Sequence, residues 1–70
     1  MERDFEDIPN SAIAHSIDEY VHSERDRRIM KMYLCDGYSM FDIAKELDIS
    51  FKTVQRVIGK HEEKVFRHIP

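Results

Sequence analysis

The fold of this chain is decided by residues 39–61, which read SMFDIAKELDISFKTVQRVIGKH. Ser39 and Ser50 are of a type that caps helices, because a serine oxygen accepts a hydrogen bond from an N–H that the first helical turn leaves unpaired. Between them Asp48 interrupts the helical pattern, and Asp tolerates the left-handed backbone region better than most residues. We therefore expect a positive φ at Asp48 and two helices joined by a tight turn at 48–50.

The apolar residues of this stretch recur at helical spacing, which predicts one buried face on each helix. Ala44 is small enough to let two helices approach each other closely at a steep angle. Ile49, within the turn, is expected to pack into the core. The remaining positions predicted to face inward are Ile43, Leu47, Val54, Val57, Ile58 and Val65.

With those residues inward, the opposite side of the second helix presents basic, polar and aromatic side chains, and no acid occurs in 51–61. In helix-turn-helix proteins the N-terminal part of the second helix contacts base edges in the major groove. Gln55 can pair with adenine and Arg56 with guanine, while Phe51 or Thr53 can contact a thymine methyl group. The candidate DNA-binding residues are Ser50, Phe51, Lys52, Thr53, Gln55, Arg56 and Lys60.

The N-terminal half predicts an acidic leader over 1–10, followed by a helical domain over 11–69 that holds the helix-turn-helix at 39–61. An apolar stripe at Ile13, Ile17, Tyr20 and Val21 predicts a helix over 11–22, with Asn10 or Ser11 as its cap.

A second helix is expected to begin at Ser23, with Asp26 completing a capping box. It should end at Asp36-Gly37, since Gly37 can take the left-handed conformation of a helix end. The last helix can continue to about residue 67. Strand-like alternation is absent from the sequence, so the fold class is all-α: a small four-helix domain.

Length and charge restrict the function. Seventy residues with 41% hydrophobic content can build one small domain without a buried active-site cleft beside its core. The net charge of −3 is unevenly distributed: residues 1–24 hold seven acids and one base, whereas residues 25–70 hold ten bases and seven acids. The basic half favours nucleic-acid contact. The sequence lacks an apolar run of the ~20 residues that a membrane helix needs, and its single Cys35 fits a reducing cytoplasm.

The other polar residues form no pattern for catalysis or for holding a metal or cofactor, so we expect no enzymatic activity. The four histidines lack convergent ligand spacing, and Cys35 is expected to be a small core filler. Phe51 should be exposed. Three roles for its side chain are equal alternatives: it contacts bases, plugs the turn or packs on a partner. Ser39, Arg27 and Arg28 are possible phosphate contacts, although arginines on this helix can equally pair with Glu24 or Asp26.

Several motifs resemble the C-terminal domain of bacterial sigma factors, which recognises the promoter −35 element, or a phage or bacterial regulator of similar fold. The resemblance covers about residues 23–66 and rests on Ser23-Glu24-Arg25-Asp26-Arg27-Arg28-Ile29, Asp36-Gly37-Tyr38-Ser39, Asp42-Ile43-Ala44-Lys45-Glu46-Leu47, Ile49-Ser50 and Val54. It implies that helix 51–60 enters the major groove and that the outer face contacts RNA polymerase.

The sequence thus predicts sequence-specific binding of double-stranded DNA by a helix-turn-helix, as in a bacterial or phage transcription regulator. One alternative is a protein-interaction module on the same scaffold. Another is a DNA-recognition subunit for packaging or recombination. One such module buries only ~600–1,000 Å² on DNA. We therefore also expect a homodimer, or tethering to a larger complex, with the leader or the helix that carries the stripe Ile13-Ile17-Tyr20-Val21 as the contact surface.

Overall fold

The computed structural model describes residues 8–69, which form four α-helices and no strand. The helices are α1 (Asn10–Tyr20), α2 (Glu24–Leu34), α3 (Met40–Leu47) and α4 (Phe51–Arg67). The all-α, four-helix prediction is confirmed over this range. Residues 1–7 of the expected acidic leader lie outside the described residues.

Three of the four helices begin at a serine. The hydroxyls of Ser23, Ser39 and Ser50 each accept a hydrogen bond from the backbone N–H three residues later, at 3.3, 3.1 and 3.1 Å. Each bond pairs an N–H that has no partner inside its own helix. The predicted starts of α2, α3 and α4 are therefore confirmed.

The start of α1 differs from its prediction. Its N-cap is Pro9, with no side-chain cap, and Asn10 already belongs to the helix. Asn10 Nδ2 instead donates to the carbonyl of Cys35 at 3.1 Å, which joins the start of α1 to the end of α2. The helix also ends at Tyr20 rather than at residue 22.

The capping box predicted at the start of α2 is only half formed. Ser23 caps the N–H of Asp26, but the carboxylate of Asp26 accepts hydrogen bonds from Arg25 and His61. The side chain of Asp26 thus serves a contact with α4 in place of a local cap.

The two left-handed residues are the ones that the sequence indicates. Gly37, after α2, has φ +80°, and Asp48, after α3, has φ 57° and ψ 47°. Asp48 lets the chain reverse direction directly after α3. The end of α2 differs from its prediction, because the helix ends at Leu34 with Cys35 as a right-handed C-cap, and Gly37 lies in the connection to α3.

The core lies along α4, which packs against all three other helices. Side chains from every helix contribute to it, and those that are fully buried are Ile17, Val21, Ile29, Met30, Ile43, Val54 and Val65. Burying an aliphatic side chain of this size stabilises a fold by roughly 1.5–3 kcal/mol. The inward positions predicted on α4 are confirmed.

The apolar stripe of α1 is part of this core. Ile13, Ile17 and Val21 are buried, and the ring of Tyr20 stacks on that of His68 with centroids 3.9 Å apart. Buried Ser16 also donates to the carbonyl of Val65 at 2.7 Å, which fixes α1 on α4. The expectation that this stripe forms a dimer surface is therefore wrong, because the chain's own helices cover it.

Cys35 lies where the end of α2 meets the start of α1. Its Sγ–H donates to the carbonyl of Asn10 at 3.7 Å. Burial, assisted by the neighbouring charge of Asp36, raises the pKa of the thiol. A thiol with a raised pKa is a poor nucleophile, which agrees with the predicted packing role.

Candidate nucleic-acid interface

The turn between α3 and α4 is held by local hydrogen bonds. The N–H of Ile49 donates to the carbonyl of Ala44 at 3.0 Å, and the left-handed Asp48 permits this return of the chain. Ser50 then caps α4, and its hydroxyl also hydrogen-bonds to that of Thr53 at 2.9 Å. These bonds fix the direction of the first turn of α4 relative to α3.

The outer face of α4 carries the basic and amide side chains. Lys52, Gln55, Arg56 and Lys60 are exposed, as predicted from the inward positions of the apolar residues. Thr53 is half-buried, and its hydroxyl hydrogen-bonds to that of Ser50. The face thus presents three cations and one amide along about two and a half helical turns.

Phe51 is the exception among the candidate residues. It was expected to be exposed, but it is half-buried, because its ring stacks on that of Phe41. The two centroids are 4.4 Å apart and the ring planes differ by 19°, an arrangement typical of stacked aromatic pairs. Phe41 in turn is 71% exposed. The outermost aromatic surface of this region therefore belongs to α3, at a residue that the sequence pattern does not single out.

The possible phosphate contacts fall in two places. Ser39 is exposed at the start of α3, with its hydroxyl engaged in capping. Arg27 and Arg28 lie on α2 and line an open depression of roughly 720 Å³ that Leu47 and Ile49 also line. The two arginines therefore lie beside the turn that precedes α4, whereas Ser39 lies at the far end of α3.

The cations of this depression differ in what they already bind. Arg27 Nε donates to the carbonyl of Val21 at 2.6 Å, and Arg25 pairs with Asp26 at 3.2 Å. Lys31 pairs with Asp18 of α1 at 2.8 Å, and its hydrogen bond lowers the pKa of that carboxyl. Arg28 is exposed. The expected pairing with Glu24 or Asp26 therefore occurs at Arg25, whereas Lys31 pairs with an acid of α1 that packing brings near.

A buried polar pair joins α2 to α4 behind this face. His61 Nε2 donates to Asp26 Oδ2 at 3.0 Å, and both side chains are more than nine-tenths buried. Burial by itself would raise the pKa of Asp26, but the hydrogen bonds from His61 and Arg25 outweigh it and hold that pKa below its ordinary value. Within the described residues, His61 Nδ1 has no hydrogen-bond partner.

This pair is absent from the sequence-based predictions, although the sequence holds a signal for it. His61 follows Val54 and Ile58 at helical spacing and precedes Val65 by four, so it occupies a position on the buried face of α4. Asp26 likewise lies three and four positions before Ile29 and Met30. A polar residue at an apolar position of a helix indicates a buried group that needs a hydrogen-bond partner.

The metal-ligating side chains of residues 8–69 do not converge. In this range no group of three or more His, Cys, Asp or Glu side chains is placed to hold a metal ion. None of the helices in the same range has the length and apolar character that crossing a membrane requires.

Comparison with protein-family models, with curated proteins and with solved structures finds no match for this chain. A functional assignment therefore rests on the residues and geometry described above.

Proposed function

We propose that this protein binds double-stranded DNA, with α3 and α4 acting as a helix-turn-helix whose second helix enters the major groove. The observation that carries the proposal is the exposed outer face of residues 51–61 of α4, which hold no acid and directly follow a tight left-handed turn. Lys52 and Lys60 would neutralise phosphates, since such contacts supply most of the sequence-independent affinity. Gln55 and Arg56 are exposed in the first two turns of α4 and would contact base edges in this binding mode.

The wider surroundings of α4 support the same orientation. Arg27 and Arg28 lie beside the turn, so they can reach a backbone strand when the first turn of α4 enters the groove. The sigma-factor resemblance adds the role of a transcription regulator to this proposal. Contact with RNA polymerase rests on that resemblance alone, and a homodimer would have to use a surface other than the buried stripe of α1.

A mobility-shift titration with random duplex at several salt concentrations tests the proposal. We expect binding at low salt that weakens as salt rises, with a slope of about −0.9 per phosphate contacted. Lys52→Ala should make this slope shallower by about 0.9, the value for one phosphate contact. On a site selected from random DNA, Arg56→Ala should lower the affinity by about 1–3 kcal/mol and relax preference at one base pair.

Arg67→Ala is the matched control, because Arg67 is on the same helix but at its far end, where it pairs with Glu63 at 3.2 Å. If this control weakened binding as much as Arg56→Ala, the effect would be one of total charge and the groove orientation would be wrong. Complete absence of duplex binding at low salt would reject the proposal.

A protein-interaction module on the same scaffold is the second candidate. It is favoured by the net charge of −3 and by the 71% exposure of Phe41. Large exposed aromatic side chains are enriched in the centres of protein interfaces. This function would be preferred if the salt titration showed no DNA binding.

A further inference from the structure

Phe41 and Phe51 form an exposed aromatic pair that bridges the beginnings of α3 and α4. Phe51 is the first residue of α4 and Phe41 the second residue of α3. The ring of Phe41 covers that of Phe51 at a centroid distance of 4.4 Å and remains 71% exposed. Covering one phenyl ring with another leaves the outer ring held in a defined position with a free apolar surface.

The position of the pair relative to bound DNA follows from where α3 and α4 begin. In the proposed binding mode the first helix of the motif crosses the DNA backbone, and the start of the second enters the major groove. A ring that extends from the first turn of α3 over the first turn of α4 then lies where the backbone meets the groove.

We propose that Phe41 is a specificity-determining residue of the DNA-binding site, and that its exposed ring packs on the C5-methyl group of a thymine in the major groove. This inference rests on the proposed function. Phe51 acts as a positioning residue, since its ring supports that of Phe41 from the α4 side.

The chemistry of the major groove favours a thymine methyl group as the partner of the Phe41 ring. A phenyl ring has no hydrogen-bond donor or acceptor for base edges or phosphates, and the thymine methyl is the apolar group that a base pair presents in the major groove. The first two turns of α4 are complementary to DNA in charge, because Lys52, next in sequence to Phe51, and Arg56 are exposed and no acid occurs in 51–61. The acid next to Phe41, Asp42, lies about 100° farther round α3.

Deoxyuridine tests the contact directly, because it differs from thymidine only by lacking the methyl group. A duplex site is first selected from random DNA with the full chain, and each thymine is then replaced singly by deoxyuridine. We expect replacement at one position to weaken wild-type binding about fourfold, the value for losing one buried methyl group. Phe41→Ala should bind the thymine and deoxyuridine duplexes equally well.

Tyr38→Ala is the control, because Tyr38 is another exposed aromatic residue, at 40%, outside the stacked pair. It should keep the fourfold discrimination. Since Phe41 is largely exposed, its alanine variant should fold, and a thermal melt checks this.

Each of the other outcomes overturns either this inference or the proposed function. Specific binding with no deoxyuridine effect at any position, or a selected site without thymine, overturns this inference and leaves the proposed function standing. An effect that persists in Phe41→Ala rejects the assignment to that ring. No DNA binding by the wild type rejects both. Self-association that Phe41→Ala abolishes, without a deoxyuridine effect, assigns the pair to a protein contact.

Discussion

The buried pair of Asp26 and His61 gives the most demanding prediction, because its two substitutions should have unequal effects. Asp26→Ala leaves His61 buried with neither ring nitrogen hydrogen-bonded, since Nδ1 already has no partner among the described residues. A buried polar group that loses its partner costs about 1–3 kcal/mol, and more if it is charged. We therefore expect Asp26→Ala to lower the free energy of unfolding by about 2–4 kcal/mol.

His61→Leu should be milder. It removes the unpaired Nδ1 together with the hydrogen bond. Asp26 Oδ2 loses the bond from His61, but Oδ1 keeps its bonds from Arg25 at 3.2 and 3.3 Å. We expect a loss of about 0.5–2 kcal/mol. A protein of this length has a total stability of only about 4–10 kcal/mol, so the difference between the variants is easily resolved.

Urea unfolding at pH 7, followed by circular dichroism, measures both variants and the double variant Asp26→Ala/His61→Leu. Removing both partners should cost less than the sum of the two single losses, because neither group is then left buried alone. Equal losses for the two single variants, or an additive double variant, would show that the hydrogen bond between them does not control the stability of this interface.

The same pair predicts that the free energy of unfolding depends on pH. The pKa of Asp26 is lower in the folded protein than its ordinary value of 3.8. The unfolded chain therefore binds the proton first, so this contribution to stability is complete above about pH 4 and is lost as the pH falls through the folded value. Asp26→Ala should flatten the decline in stability below about pH 4, which urea unfolding at pH values on either side of pH 4 measures.

Three further predictions concern the backbone and the core. Asp48→Gly should raise the free energy of unfolding by a few tenths to ~1 kcal/mol, and Asp48→Val should lower it, because φ is 57° there; equal melting temperatures would refute the strain argument. Gly59→Ala should stabilise α4 by about 0.5–1 kcal/mol, since an added Cβ meets nothing within 4 Å; a loss in thermal melts would contradict this. Ile17→Ala should lower stability by about 2–5 kcal/mol with no change of mass in light scattering; a shift from dimer to monomer would restore the stripe of α1 as an interface.

The sequence alone determined the features that depend on neighbouring residues. The serine caps, the left-handed Asp48 and the inward positions of α4 each follow from interactions within four residues along the chain. The outward position of Arg56 follows from the same local pattern, because the apolar residues around it fix the face of α4 that turns to the core. The local predictions that fail are the two ends of α1, where Asn10 bonds to Cys35 and the helix stops at Tyr20, and the capping box of α2, where Asp26 bonds to His61.

Tertiary structure decided what covers each surface. Asp26 and His61 are 35 positions apart, and nothing local indicates which polar residue meets which inside a core. Phe51 is half-buried because the first turn of α3 returns over it, which depends on the angle between two helices rather than on either helical pattern. The stripe of α1 is equally suited to a partner or to its own chain, since an amphipathic period specifies an apolar face but not its occupant. Only the arrangement of all four helices assigns that face to the core and leaves the outer side of α4 and the ring of Phe41 exposed.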